Sequence, residues 1–97
     1  MHLQDALDQI DALADEDVIF AKKPWHMGSE ATIDQLDSSL RTPSNLAQLG
    51  FTYFIEATLA KEVLSVLKQR SASNERKRAL VLFYAEHDAY PDWVYDL

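Results

Sequence analysis

Residues 51–67, FTYFIEATLAKEVLSVL, decide the fold class of this chain. Apolar residues recur through the segment at three- and four-residue spacing, which predicts an amphipathic helix that reaches Lys68. Its first part, Phe51–Ile55, is rich in aromatic and β-branched residues that favour strands. This part is therefore either helical or a strand that leads into a helix starting near Thr58. With the helical and strand segments elsewhere in the chain, this segment favours a helix-rich α+β domain with a small sheet.

Two further segments have strand character. Val18–Ala21 is a short apolar run that begins with β-branched residues, and it predicts a buried strand. Residues 30–36 are ambiguous, because their alternation favours a strand paired with residues 18–21 whereas Ser29 could cap a short helix. We favour the strand. Residues 37–45 are rich in Ser, Thr, Asn, Asp and Pro, and they predict a loop.

Helical patterns precede and follow these strands. Residues 3–14 have apolar residues on one side and aspartates on the other, and residues 44–49 predict a short helix closed by Gly50. Ser73 is a good N-cap for a last helix, which Pro91 stops near residue 89. One face of that helix is predicted to carry Ala79, Leu80, Phe83, Tyr84 and His87. The whole pattern predicts one helix-rich α+β domain over residues 1–97, with a sheet of two or three strands.

Acidic residues are concentrated at both ends of the chain. Residues 1–17 contain six acids and residues 79–97 contain four, and neither stretch contains Lys or Arg. Residues 46–78 are mildly basic, with six bases and three acids. The formal net charge of −7 repels nucleic acid and attracts cationic surfaces. Acids beside aromatic residues, as in residues 83–96, are typical of a protein-binding surface, because aromatic side chains anchor and charges steer.

Motifs of catalysis and cofactor binding are missing from the sequence. There is no cysteine, and the two glycines do not form a phosphate-binding loop. Glu86, His87 and Asp88 are adjacent on a helix, so their side chains point in different directions and do not converge on one metal ion. We therefore expect a non-enzyme without cofactor, metal or small-molecule substrate. Without cysteine, a signal sequence or a membrane-spanning apolar run, the protein is expected in the cytoplasm.

Two other features have competing interpretations. Lys68, Arg70, Arg76, Lys77 and Arg78 form a basic cluster that could clamp phosphate. The net negative charge favours pairing of this cluster with the protein's own acids instead. Trp25 and Trp93 each follow a proline closely, and each either covers the core or serves as an exposed anchor. Residues 92–97 are expected to leave the body of the domain after Pro91.

Two stretches carry a resemblance to known proteins. Ala21-Lys22-Lys23-Pro24-Trp25 with Ser29-Glu30-Ala31, and then residues 83–91 (FYAEHDAYP), resemble small bacterial proteins of uncharacterised type. Those proteins have a tryptophan after the first strand and end in a tyrosine-tyrosine-x-glutamate-x-aspartate-alanine-aromatic signature, in which Phe83 replaces the first tyrosine here. In size, acidity and lack of a catalytic set the chain is also similar in type to immunity proteins of contact-dependent inhibition and other polymorphic toxin systems.

The second resemblance implies a protein that blocks a cognate toxin, often a nuclease with a cationic cleft. Such a partner would meet the acids of the first helix and the acidic, aromatic tail. The expected partner-binding residues are Asp8, Asp11, Asp15, Glu86, Asp88, Asp92, Trp93, Tyr95 and Asp96. The alternatives are a non-catalytic adaptor or oligomeric module whose acids only increase solubility, and a small enzyme.

Overall fold

The apolar run at residues 18–22 forms the central strand of an antiparallel sheet. A computed structural model describes residues 1–67 and 71–96. In it β1 (Val18–Lys22) lies between β2 (Ala31–Asp34) and β3 (Phe51–Glu56), in the order β2-β1-β3. Ile19 is opposite Ile33 on one side and Ile55 on the other. The strand predictions at residues 18–21 and 30–36 are thereby confirmed. Residues 51–55, for which helix and strand were both open, form a strand, and the fold class is α+β.

A bulge in β3 places two large side chains on the same side of the sheet. Phe20 is opposite Tyr53, but the next pair is Ile19 with Ile55, which leaves Phe54 as an extra residue in β3. Phe54 and Ile55 therefore both enter the core beneath the helices. An extra residue of this kind bends the strand and increases its twist.

The remaining residues form four α-helices within the described ranges, besides short 3₁₀ turns. The helices are α1 (Leu3–Asp8), α2 (Ser44–Gln48), α3 (Ala57–Leu64) and α4 (Asn74–His87). The 3₁₀ turns span Ile10–Ala12, Ser65–Leu67 and Asp92–Asp96. Helix α4 contacts both α1 and α3, and the three helices share one hydrophobic core with the sheet, whereas the short α2 contacts β3. No helix among the described residues is long and apolar enough to cross a membrane.

Two helix predictions were too long. The α-helical part of residues 3–14 ends at Asp8 and continues as a 3₁₀ turn, which still buries Leu3, Leu7 and Ile10 on one side. Helix α3 begins at Ala57 and ends at Leu64, followed by a 3₁₀ turn to Leu67. Lys68, to which that helix was predicted to extend, lies outside the described residues.

Helix α4 has the predicted cap but a different buried face. The Ser73 hydroxyl accepts a hydrogen bond from the Arg76 amide (3.1 Å), and the chain leaves the helix at Asp88 with a left-handed φ of 53°. Leu80 and Val81 are the buried residues of this helix. Of the predicted face, Leu80 is in the core and Phe83 and Tyr84 are half-buried, whereas Ala79 and His87 are exposed. The predicted buried face was therefore wrong: the pair at its start was predicted to be Ala79 and Leu80, and the buried pair is Leu80 and Val81, one residue further along the chain.

The segment after Pro91 does not leave the body of the domain. Residues 92–96 form a 3₁₀ turn that packs back on α4, and Pro91 and Val94 are both buried. Trp93 is half-buried against the core, whereas Tyr95 is 75% exposed. The expectation of a free tail was wrong, because Val94 supplies an apolar side chain that the core accepts.

Candidate functional site

The acids of residues 1–17 are mostly used inside the molecule. Asp8 accepts two hydrogen bonds from Arg78 of α4, from Nε to Oδ1 and from Nη2 to Oδ2, both at 2.6 Å. This forked geometry joins α1 to α4 and is the strongest form of an ion pair. The hydrogen bonds from Arg78, helped by its charge, hold the pKa of Asp8 below its ordinary value of 3.8.

Three other acids of this end are also bonded internally. Asp5 accepts from the His2 amide (3.1 Å), and Asp17 accepts from the Ala14 amide (2.9 Å). Asp15 lies 3.4 Å from the Lys61 ammonium, which also donates to the Leu13 carbonyl at 2.6 Å. Four of the six acids in residues 1–17 are therefore bonded to other groups of the protein and stabilise the fold of this end. In the described part of the chain, no side-chain hydrogen bond or ion pair is formed by Asp11 or Glu16.

The acids at the other end have no such partners. Within residues 1–67 and 71–96, none of their carboxylates accepts a hydrogen bond or lies within ion-pair distance of a Lys or Arg. These acids are Glu86, Asp88, Asp92 and Asp96, and all four are exposed. The nearest basic atom is His87 Nε2, 4.0 Å from Glu86 Oε2. We name these four acids together with Tyr95 the C-terminal acidic surface.

The chain divides this surface between the tail and the C-terminal end of α4. Tyr90 packs on Tyr84 (5.3 Å between ring centres), and Trp93 lies against Arg76, whose guanidinium is 4.3 Å from the ring centre. The segment after α4 therefore runs back along the helix toward Arg76. Glu86 is two residues from Tyr84, about 200° around the helix axis, and roughly 15 Å along the helix from Arg76, so it does not lie on the side that the tail covers.

The two acidic ends lie on different sides of α4. Arg76 contacts the tail and Arg78 contacts α1, and two residues on a helix are about 200° apart around its axis. Asp8 and Trp93 are therefore held on nearly opposite sides of the same helix. The C-terminal members of the predicted partner-binding set lie in two groups, one near Glu86 at the end of α4 and one around Trp93 beside Arg76, and Asp8 lies on α1.

The aromatic side chains of the tail are of two kinds: some pack against the domain, and one is exposed to solvent. Trp93 and Tyr90 are half-buried, and burial is the main cause that raises the pKa of Tyr90, with smaller contributions from Tyr84, Glu62 and Tyr95. The phenol of Tyr90 is therefore protonated at neutral pH and adds no charge. Tyr95 presents most of its side chain to solvent. Of the two anchors expected from the sequence, the structure leaves Tyr95 for contact and gives Trp93 a packing role.

The basic cluster at the start of α4 is largely engaged with the rest of the fold. Arg76 stacks on Trp93, and Arg78 pairs with Asp8. Lys77 is exposed. Lys68 and Arg70, the other two members of the cluster, lie outside the described residues. Over the described ranges, no group of three His, Asp or Glu side chains is arranged to hold a metal ion.

Comparisons with protein-family models, curated proteins and solved structures found no match to this chain.

Proposed function

We propose that the protein is a non-enzymatic inhibitor of the immunity type, which binds a cationic protein, in particular a nuclease toxin, through the C-terminal acidic surface. A nuclease has to bind phosphate, so its active site is a cationic cleft. A rigid acidic surface that enters such a cleft excludes the nucleic acid substrate. The partner class rests on charge complementarity, which accelerates encounter and selects partners.

One observation supports this site above the others on the molecule. The four exposed carboxylates of the C-terminal acidic surface have no internal hydrogen bond or Lys or Arg partner among the described residues. Asp92 and Asp96 lie on a turn that the buried Val94 and the half-buried Trp93 hold against the core. Carboxylates that already fold the protein must break a bond before they meet a partner. Those of the C-terminal acidic surface have no such bond to a described residue, so they can meet a partner without breaking one.

The test uses two double variants that change the net charge equally. Asp92→Asn with Asp96→Asn removes two acids of the C-terminal acidic surface. Asp11→Asn with Glu16→Gln removes two acids of the other end that have no side-chain partner among the described residues. Binding to a panel of basic nuclease domains is measured across salt concentrations, and the panel includes any toxin domain found to be encoded next to this chain. We expect the first variant to slow association and to flatten its salt dependence, and the second to retain near-native kinetics.

The contrary outcomes separate the alternatives. If the two double variants slow association equally, the acids act only through long-range attraction and the C-terminal acidic surface is not a specific binding site. Binding that does not change with salt or with either variant would favour an adaptor whose acids serve solubility. Turnover by the protein alone on a nucleic acid or peptide substrate would favour the enzyme.

A further inference from the structure

A cleft at the C-terminal end of α4 lies next to the C-terminal acidic surface. It has a volume of about 340 Å³ and is lined by Lys23, Pro24, Trp25, Glu86 and His87. One wall is the turn after β1, and the other is the last turn of α4. Ligand sites for small molecules usually span about 300–1,000 Å³. This open cleft lies at the lower end of that range and is large enough to receive a single side chain.

The tryptophan wall of the cleft is held rigidly. Trp25 Nε1 donates to the Ala21 carbonyl (3.3 Å), and the ring meets Phe54 edge to face with 4.8 Å between centres. The turn is fixed by the buried Ser29, whose hydroxyl donates to the Pro24 carbonyl and accepts from the His26 amide, both at 2.9 Å. A side chain that stacks on Trp25 therefore meets a surface that is already in place.

A cation already contacts this ring. Lys23 Nζ lies 4.9 Å from the centre of Trp25, within the distance at which ammonium and aromatic rings attract. Among the described residues Lys23 has no ion pair, so this contact is held only by an exposed and flexible side chain. Glu86 lines the same cleft with a carboxylate that has no Lys or Arg partner in the described ranges, and 40% of its side chain is exposed.

We propose that this cleft receives an arginine side chain of the cationic partner, with the guanidinium stacked on Trp25 in place of Lys23 and bonded to the Glu86 carboxylate. The inference rests on the proposed function, since it names the chemistry that the partner offers to one part of the same surface. A guanidinium is planar and weakly hydrated, and it can stack on an aromatic ring while its edge bonds a carboxylate. A lysine ammonium is a compact, strongly hydrated charge and satisfies both groups less well.

The experiment uses the two tryptophans as separate reporters. In a ¹H–¹⁵N spectrum at low salt, the indole N–H signals of Trp25 and Trp93 are followed while N-acetyl-arginine amide is added. Trp93 is the internal reference, because its ring is already covered by Arg76. We expect saturable shifts at Trp25 in the millimolar range, since one exposed stacking contact and one ion pair are weak. N-acetyl-lysine amide should bind at least about twofold more weakly.

Three variants test the two walls. Glu86→Gln should weaken arginine binding about threefold, and Lys23→Gln should strengthen it about twofold, because the competing cation is gone. Asp88→Asn is the matched control: it removes one charge near Glu86 but does not line the cleft, and it should change binding less than Glu86→Gln. A higher affinity of Lys23→Gln for arginine indicates a specific cleft if Asp88→Asn leaves the affinity close to native. If Asp88→Asn also changes the affinity, general attraction by charge explains both results.

Each contrary result overturns the cleft proposal. Equal shifts at Trp25 and Trp93, or equal losses for Glu86→Gln and Asp88→Asn, would reduce the effect to nonspecific charge. Stronger binding of N-acetyl-glutamate amide would assign Lys23 and His87 to an anion site. The two proposals can fail separately. Salt-dependent capture of a basic partner that is lost in Asp92→Asn with Asp96→Asn supports the proposed function even when Trp25 shows no arginine binding. Arginine binding at Trp25 without capture of any basic partner supports the cleft and contradicts the proposed function.

Discussion

The two ends of the chain are similar in composition and different in use. Residues 1–17 bond four of their six acids to other groups of the molecule, and Asp8 and Asp15 pair with Arg78 and Lys61. Among the described residues, the four acids of the C-terminal acidic surface make no such bond. The difference teaches that acidity alone does not mark a binding surface. An acid contributes to folding when a cation or a backbone amide of the molecule bonds to it, as for Asp8 and Asp17. An acid without such a bond is available to a partner.

The largest expected effect tests whether the last segment is part of the fold. Trp93→Ala removes a half-buried ring from the core and from Arg76, and we expect it to cost roughly 2–3 kcal/mol, below the value for a fully buried tryptophan. The melting temperature should then fall by about 8 °C or more. Thermal unfolding measures this directly.

Tyr95→Ala is the matched control, because the side chain of Tyr95 is 75% exposed. It should change the free energy of unfolding by no more than about 0.5 kcal/mol. Equal melting temperatures for the two variants would mean that the segment is a contact surface without a folding role, and the comparison of the two ends would have to be redrawn.

Charge reversal at the two ends should affect different properties. Asp8→Lys places a second cation against Arg78, so the melting temperature should fall clearly. Asp96→Lys meets no described cation and should stay within about 4 °C of the native value. The two variants change net charge equally, so melting curves recorded in parallel isolate the local contact. A fall for Asp96→Lys as large as that for Asp8→Lys would contradict the division.

Acid should remove the contribution of the Asp8–Arg78 pair. The pKa of Asp8 is lowered in the folded protein, so this carboxylate stabilises the fold at pH values above its unfolded pKa. The contribution is lost as pH falls through the depressed folded value. Asp8→Asn should therefore be less stable than the native protein at pH 7, and the gap should narrow below about pH 4. Denaturant unfolding at pH 7 and near pH 3 measures the gap, and a constant gap would assign the loss to packing.

The smallest effect is expected for Asp15→Asn. Lys61 keeps the Leu13 carbonyl as an acceptor at 2.6 Å when the carboxylate at 3.4 Å is removed. The pair is also largely exposed on the aspartate side, and such pairs contribute between about 0 and 1 kcal/mol. Asp15→Asn should thus lie closer to native stability than Asp8→Asn does. The reverse order in chemical denaturation would show that Asp15 is the more important contact.

Much of the fold could be predicted from local sequence. Three strands follow from β-branched and aromatic runs, and the Ser73 cap follows from residue type and position. The end of α1 could not be predicted, because its apolar spacing continues to residue 14. The chain turns there so that the Leu13 carbonyl meets Lys61, 48 residues away. Local propensity contains no information about that contact.

The candidate site was predicted less completely. The alternation of acids and aromatics in residues 92–96 indicated a binding segment, but Val94 lies between Trp93 and Tyr95 and is buried. One apolar residue is too weak a signal to show that the segment returns to the core. The use of Asp8 depends on the packing of α1 against α4 across 70 residues. The cleft at Trp25 needs the end of α4 beside the turn after β1, which no sequence spacing indicates.

The position of α4 between the first and last segments has a consequence for synthesis of the chain. This helix receives Asp8 on one side and Trp93 on the other, so its surroundings are complete only when residue 96 has left the ribosome. Until then, the core cluster that contains Leu80 and Val81 lacks Trp93 and Val94. Because translation proceeds at about 5–20 residues per second, stable packing of α4 is expected only after residues 92–96 have emerged. A chain truncated after residue 91 should therefore be more sensitive to protease than the chain of residues 1–97.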